Sequence, residues 1–172
     1  MIGESTYWVG AALLLSATAV AMPEAPASYV AELRGAATAT LHGSAEFGQA
    51  RGSHDGPFVI TLGARAENGA VVLTRWDGTR PWAGEYRITE EPARDGIQAF
   101  VVTGSIERPT GVFRARSGRV VITSSSLRHM AGRFEMNAVG FLAAEPDRED
   151  RELRVRGSFT ASPSRYQVRG ET

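Results

Sequence analysis

The chain has 172 residues, enough for one domain with its own hydrophobic core. Hydrophobic residues make up 42% and charged residues 22%, which excludes a disordered chain and a protein with many membrane spans. The formal net charge is +0, every one of the 19 basic residues is arginine, and cysteine is absent. This composition argues against a nucleic-acid binder and excludes disulfides, thiolate metal sites, cysteine nucleophiles and a lipid-modified cysteine.

The first predicted element is a continuous apolar run from Tyr7 to Met22. It can be interpreted as a signal peptide, because small residues suited to cleavage stand at 19–21 and 25–27. Against that interpretation, the segment before the run carries Glu4 and no basic residue. The signal-peptide interpretation predicts export of the rest of the chain, and so does the alternative of a retained membrane helix.

The same run can also be interpreted as a retained membrane helix. A helix over residues 2–22 would reach about 30 Å, barely the thickness of the hydrocarbon layer. Aromatic side chains at one end suit the membrane interface. We therefore treat 1–22 as a membrane anchor or signal peptide, with the retained anchor as the working hypothesis. The residues expected to contact lipid or partner helices are Tyr7, Trp8, Leu13, Leu14 and Leu15.

Residues 23–33 are predicted to be a linker, because Pro23 and Pro26 stop any helix. Within it, residues 29–33 could add a helical turn or an extended lead-in. The remaining residues, 34–172, are predicted to form one β domain.

Short apolar segments separated by turn signals predict eight or nine strands in this domain. Asn68-Gly69 and Asp77-Gly78 are two of those turn signals. A bulge is expected at Gly43 and a break at Ser117-Gly118. The predicted strands cover residues 36–47, 57–63, 70–76, 84–88, 97–106, 111–116, 119–124, 132–138 and 153–161.

The last two predicted strands show the clearest pattern. In 132–138 and 153–161 apolar residues alternate with polar ones, which predicts strands with one buried face. Each carries a glycine two residues before a phenylalanine on the same face, an arrangement that lets a ring lie across the strand. Residues 145–151 are predicted to be the loop between them. The chain therefore predicts an all-β fold, an antiparallel β-sandwich or barrel, with the sandwich preferred, preceded by one apolar helix.

These motifs resemble those of uncharacterised exported β-sandwich proteins of bacterial cell envelopes. The resemblance covers about the last third of the chain, with one further glycine–aromatic pair before it. It implies a fold and an envelope location and transfers no catalytic residue. Such proteins usually carry a lipid-modified cysteine, which this chain lacks. The motif residues are Gly132-x-Phe134, Gly157-x-Phe159 and Gly84-x-Tyr86.

The first candidate site surrounds the turn at Asp77-Gly78. Tryptophan and arginine are the residues that interfaces and sugar sites favour, and four of them flank this turn. One of the two tryptophans is expected to belong to the core. The candidate binding residues are Arg75, Trp76, Arg80 and Trp82.

Three other patterns favour ordinary surface roles. Ser53, His54 and Asp55 are the residue types of a hydrolase, but adjacent residues cannot converge on a substrate, so a solvated turn is expected. The histidines are scattered and lack a metal-ligand spacing, so neither a metal nor a cofactor is expected. The charge run 145–152 lacks the order of a calcium loop, and its acids and bases neutralise one another.

The second candidate surface is a possible stripe of arginines on solvent-facing strand positions. If these strands are neighbours, the stripe suits acidic partners or anionic headgroups. A solvated face balanced by glutamates such as Glu135 and Glu152 is the alternative. The arginines are Arg114, Arg116, Arg119, Arg154 and Arg156.

These patterns predict a non-enzymatic β-sandwich on the periplasmic side of a bacterial membrane, anchored by 1–22. It would be an accessory subunit of a membrane complex, for example a photosynthetic or respiratory one, with lipid and other subunits as partners. The alternative is a secreted carbohydrate- or ligand-binding module that uses the Trp76–Trp82 loop.

Overall fold

The computed structural model describes residues 26–50, 56–63, 68–105, 107–148 and 150–164. These ranges contain ten strands and no helix, and none of their segments is a helix able to cross a membrane. The apolar run, its five predicted contact residues and the Ser53–Asp55 turn lie outside the described residues. The strands are β1 (Ser28–Gly35), β2 (Ala39–Gly43), β3 (Ala45–Gln49), β4 (Phe58–Leu62), β5 (Gly69–Arg75), β6 (Gly84–Thr89), β7 (Gly96–Gly104), β8 (Pro109–Ser125), β9 (Met130–Leu142) and β10 (Arg151–Pro163).

All ten strands belong to one sheet with the order β2-β1-β10-β3-β4-β5-β7-β6-β8-β9. Because β9 also pairs with β10 and β7 also pairs with β8, the hydrogen bonding closes into a ring. Most pairings are antiparallel, but β10–β3 and β6–β7 are parallel. The all-β prediction is therefore confirmed. The finer prediction of an antiparallel sandwich differs from the structure, in which the described strands form one mixed sheet.

The core lies inside this closed sheet and follows from the alternation of apolar residues. In β9, the side chains of Met130, Phe134 and Met136 point inward and are buried, whereas Arg133 and Glu135 are exposed. In β1, Tyr29, Ala31 and Leu33 are buried in the same way. Residues 29–33, for which the sequence left two conformations open, are therefore extended.

The glycine–phenylalanine motifs form reciprocal pairs across β9 and β10. Gly132 lies opposite Phe159, and Gly157 lies opposite Phe134. Each ring covers the glycine on the neighbouring strand, since a Cβ added at Gly157 would lie 2.5 Å from Phe134 Cζ and one at Gly132 would lie 3.0 Å from Phe159 Cζ. The two ring centroids are 6.4 Å apart. The motif thus packs each phenylalanine ring on the glycine of the neighbouring strand.

Two predicted irregularities have a different form in the structure. The strand predicted over 36–47 is divided into β2 and β3 at Ser44, next to Gly43 with φ 157°. The break predicted at Ser117-Gly118 is a register shift between Ala115 and Ser117 within the continuous strand β8. The first half of β8 pairs with β7, and the second half pairs with β6.

Tyr29 ties β1 to β5 from within the core. Its hydroxyl donates a 2.9 Å hydrogen bond to the carbonyl oxygen of Gly69. Burial raises the pKa of the Tyr29 phenol from 10 to about 12. The folded state therefore holds the phenol proton more tightly than the unfolded state does. This contribution to stability is complete below pH 10 and is lost as the pH rises towards 12.

We expect Tyr29→Phe to lower the free energy of unfolding by about 1 kcal/mol at pH 8, because a buried hydrogen bond is lost. The difference from the wild type should shrink at pH 11, where only the wild type must keep the phenol protonated. Urea unfolding of both chains at the two pH values measures this. An equal difference at pH 8 and pH 11 would contradict the assigned role of Tyr29.

Candidate functional site

The loop between β5 and β6, residues 76–83, is built around an ion pair. Arg75 donates to both carboxylate oxygens of Asp77, from Nε at 2.9 Å and from Nη2 at 2.7 Å. Asp77 also accepts hydrogen bonds from the backbone nitrogen and the hydroxyl of Thr79, at 3.0 and 2.9 Å. The Arg75 guanidinium lies over the ring of Tyr86, 5.2 Å from its centroid. Arg75 therefore serves the loop itself, which makes it unavailable as a free binding group.

The pKa of Asp77 reports the same arrangement. Partial burial acts to raise this pKa, but the hydrogen bonds from Arg75 and Thr79 together outweigh burial and lower it below its usual value. The hydrogen bond to Asp77 is the main cause that raises the pKa of Arg75. The pair is therefore ionised at neutral pH and holds the turn closed.

The two tryptophans of the loop are both held in place and both accessible. Trp76 Nε1 donates to the side chain of Gln98, whose amide nitrogen donates to the backbone of Glu90. The hydroxyl of Tyr86 donates to the carbonyl oxygen of Trp82 at 3.1 Å, which fixes the backbone there. Trp76 is 49% exposed and Trp82 is 73% exposed.

These exposures correct the expectation that one of the two tryptophans belongs to the core. Trp82 follows the buried Pro81, so the backbone is anchored while the indole ring faces solvent. Arg80 is half-buried, and its Nε is enclosed without a hydrogen-bond partner among the described residues. The structure thus places three of the four predicted residues in the loop and Arg75 at the end of β5, and Trp82 is the most accessible of the four.

The five arginines of the predicted stripe separate into two groups. Arg114 donates to the backbone of Glu90 and lies 3.8 Å from a carboxylate oxygen of Glu91. Arg116 lies 3.8 Å from a carboxylate oxygen of Glu90. Arg114 and Arg116 therefore bind the connection that follows β6. The other three predicted arginines lie on the outer surface of β8 and β10.

We define the arginine face as the charged side chains of β1, β10, β9 and the second half of β8 that line two grooves on the outer surface of the sheet. One row across it alternates in charge, since Glu32 lies opposite Arg156, Arg156 opposite Glu135, and Glu135 opposite Arg119. Within this row Arg119 Nε lies 2.8 Å from Glu135 Oε1. The members of the arginine face are Arg34, Arg119, Arg133, Arg154, Arg156, Glu32 and Glu135.

Two adjoining grooves run over the arginine face. The first has a volume of about 340 Å³ and is lined by Val30, Val121 and Arg133, among others. The second has a volume of about 400 Å³ and is lined by Arg34 and Arg154, among others. Glu32, Glu135 and Arg156 line both grooves, so the two grooves are neighbours on the face.

Two members of the arginine face, Arg34 and Arg133, were missed by the sequence reasoning. Arg133 alternates with the buried Phe134, so its outward position on β9 was readable from the period of the strand. Arg34 was hidden because residues 29–33 were not assigned to a strand. Glu135, one of the glutamates expected to balance the stripe, pairs with Arg119, and Arg119 Nη1 also lies 4.0 Å from Glu85 Oε2.

The remaining candidates lie apart from these surfaces. His42 is exposed on β2, and His129 is half-buried before β9. In the charged loop, Arg151 pairs with Glu145, and Arg148 lies 3.6 Å from Asp150. Among the described residues, no group of three or more histidine or acidic side chains is arranged to hold a metal ion.

Comparisons with known proteins give no match to this chain among protein-family models, curated proteins or solved structures. The resemblance to bacterial envelope proteins therefore remains an expectation based on the glycine–aromatic motifs. The described residues form an all-β fold. Apolar side chains fill its interior, and the polar candidate sites lie on its surface.

Proposed function

We propose that this protein is a non-enzymatic binding protein on the extracytoplasmic side of a bacterial membrane. It is tethered by residues 1–22 and acts as an accessory subunit of a membrane protein complex. One observation supports this proposal above the others. The inward side chains of the closed sheet form one apolar cluster, while the candidate recognition groups point outward. Such an arrangement suits contact with a partner surface.

The loop 76–83 is the proposed contact with the partner subunit. Trp82 offers a large apolar ring that is 73% exposed, and its backbone is already fixed by Tyr86. Exposed tryptophans in ordered loops contribute strongly to binding, because they bury much area at little cost in conformational entropy. The ion pair between Arg75 and Asp77 keeps the loop in this conformation before the partner arrives.

A carbohydrate-binding module is the second candidate function, and the same exposed ring favours it. The flat face of an indole can stack on the apolar face of a sugar ring. In that case Trp82 would bind a glycan directly and residues 1–22 would be removed after export. The two candidates therefore differ in what Trp82 contacts.

A single substitution, Trp82→Ala, tests the accessory-subunit proposal. The full chain, tagged and expressed in its native host, is extracted with mild detergent and separated on a native gel. We expect the wild type to migrate within a larger assembly and Trp82→Ala to dissociate from it. Leu127→Ala is the matched control, because Leu127 is 74% exposed in the turn between β8 and β9 and should keep its place in the assembly.

Migration of the wild type as a free chain would contradict the proposal. Unchanged migration of Trp82→Ala would show that the loop 76–83 does not contact the partner subunit. If that variant also loses binding on a glycan array, the carbohydrate-binding function replaces the first proposal. Circular dichroism of both variants checks that the fold is intact.

A further inference from the structure

We propose that the arginine face binds the phosphate groups of anionic lipid headgroups and so lays the β domain against the membrane surface. This inference rests on the membrane tether of the proposed function, and it adds a second contact with the membrane. The partner subunit and the lipid would use separate surfaces, the loop 76–83 and the arginine face.

The charge on this face is unlike that of the whole chain. The chain has a formal net charge of +0, whereas the arginine face holds five arginines and two glutamates. Within the described part of the chain, Arg133, Arg154 and Arg156 form no ion pair. Arg156 lies opposite Glu32 and Glu135. Arg133 and Arg154 have no carboxylate at an opposite position, so their guanidinium groups are the ones best placed to bind an anion from outside.

One pairing on the face places two arginines opposite each other, and one of them, Arg34, is paired with Glu32 at 3.4 Å from Nη2 to Oε2. Arg34 on β1 lies directly opposite Arg154 on β10, and like charges at opposite positions destabilise an antiparallel pair. The neighbours of Arg154 on the other side are Asn137 and then Ser117, which are neutral. Guanidinium groups bind phosphate through two parallel hydrogen bonds, so a phosphate between these side chains would remove the repulsion.

The apolar part of the face favours a lipid surface over an acidic protein segment. Val30 is 49% exposed beside the first groove, and Val121 lies opposite Arg133. Arginine with neighbouring aliphatic side chains suits the boundary between headgroups and acyl chains. The face also begins close to the tether along the chain. Five residues separate Met22 from Ser28, the first residue of β1, and this stretch of chain spans at most about 20 Å.

Flotation with vesicles tests this proposal on the purified full chain. Vesicles of neutral phosphatidylcholine measure the binding due to the apolar run, and vesicles containing phosphatidylglycerol measure the additional binding due to anionic headgroups. We expect the wild type to prefer the anionic vesicles at low salt and to lose this preference at high salt. In the triple variant Arg133→Gln, Arg154→Gln, Arg156→Gln, the ratio of binding to anionic over neutral vesicles should fall at least about tenfold.

The matched control changes three exposed arginines outside the face. The triple variant Arg94→Gln, Arg108→Gln, Arg128→Gln alters the net charge equally and should keep the wild-type preference. Equal loss in both triple variants would overturn the assignment to this face, because net charge alone would then explain binding. A face variant with the wild-type preference would also overturn it.

Two further outcomes identify the source of the anion. If the wild type binds free inorganic phosphate through the face but shows no preference for anionic vesicles, the lipid assignment is wrong. If the wild type shows no preference for anionic vesicles but binds an acidic peptide through the face, the face contacts protein. If the arginine face does not bind lipid, migration on the native gel is unaffected. If the protein is not an accessory subunit, its preference for anionic vesicles is unaffected.

Discussion

Phe134→Ala is expected to lower the free energy of unfolding by about 3–5 kcal/mol, because it empties a buried site in the core. Phe134 is 3% exposed, and its ring covers Gly157 on the neighbouring strand. Gly157 has no side chain with which to fill the space that the ring leaves. The cost should therefore lie at the upper end of the range for phenylalanine substitutions. Urea unfolding followed by circular dichroism measures it.

Phe141→Ala provides the comparison on the same strand. Phe141 points outward from β9 and is 37% exposed, so its truncation should cost about 1 kcal/mol or less. Equal losses for the two variants would contradict the inward packing of Phe134.

Gly157→Ala is expected to cost about 2–3 kcal/mol through overpacking. The added Cβ would lie 2.5 Å from Phe134 Cζ and 2.5 Å from the carbonyl oxygen of Val30. Since one of these atoms belongs to the backbone of β1, the clash cannot be relieved by a side-chain rotation alone. The free energy of unfolding again gives the measurement.

A double-mutant cycle separates the two clashes. In the Phe134→Ala background, Gly157→Ala should cost less than in the wild type, because only the contact with Val30 remains. Gly48→Ala in β3 is the control, since its added Cβ would lie 3.7 Å from the nearest atom, Ser164 Cβ. Additive costs for Gly157 and Phe134 would contradict the reciprocal pairing of glycine and phenylalanine.

The strands were predictable from the sequence wherever alternation ran long enough. β9 and β10 each alternate over many residues, so their inward and outward faces could be assigned without coordinates. β1 could not be assigned, because Tyr29, Ala31 and Leu33 provide only three apolar positions after a proline-rich segment. A short pattern of that kind fits a helical turn and a strand equally well.

The closure of the sheet depends on contacts that no local pattern encodes. β3 joins β10 through two paired positions, Glu46 with Ser162 and Phe47 with Pro163. These residues are more than a hundred positions apart in the chain, and the pairing is parallel. The sequence could therefore predict that the fold is all-β, but it could not predict that the sheet closes into a ring.

The candidate sites were predicted in part, for a related reason. The residue types of the loop 76–83 were evident, but the ion pair that engages Arg75 depends on how the turn brings Asp77 back to it. The arginine face combines four strands, and its like-charge pair of Arg34 and Arg154 follows from the register of β1 against β10. Register between distant strands is a tertiary property, so the face became visible only in the structure.

The central claim is that this protein works at a membrane while keeping residues 1–22. The intact mass of the chain in fractionated membranes tests that claim most directly. We predict a mass that includes residues 1–22, found in the membrane fraction after a high-salt wash. A mass that begins after Ala21 or Ala27, found in the soluble fraction, would contradict the claim.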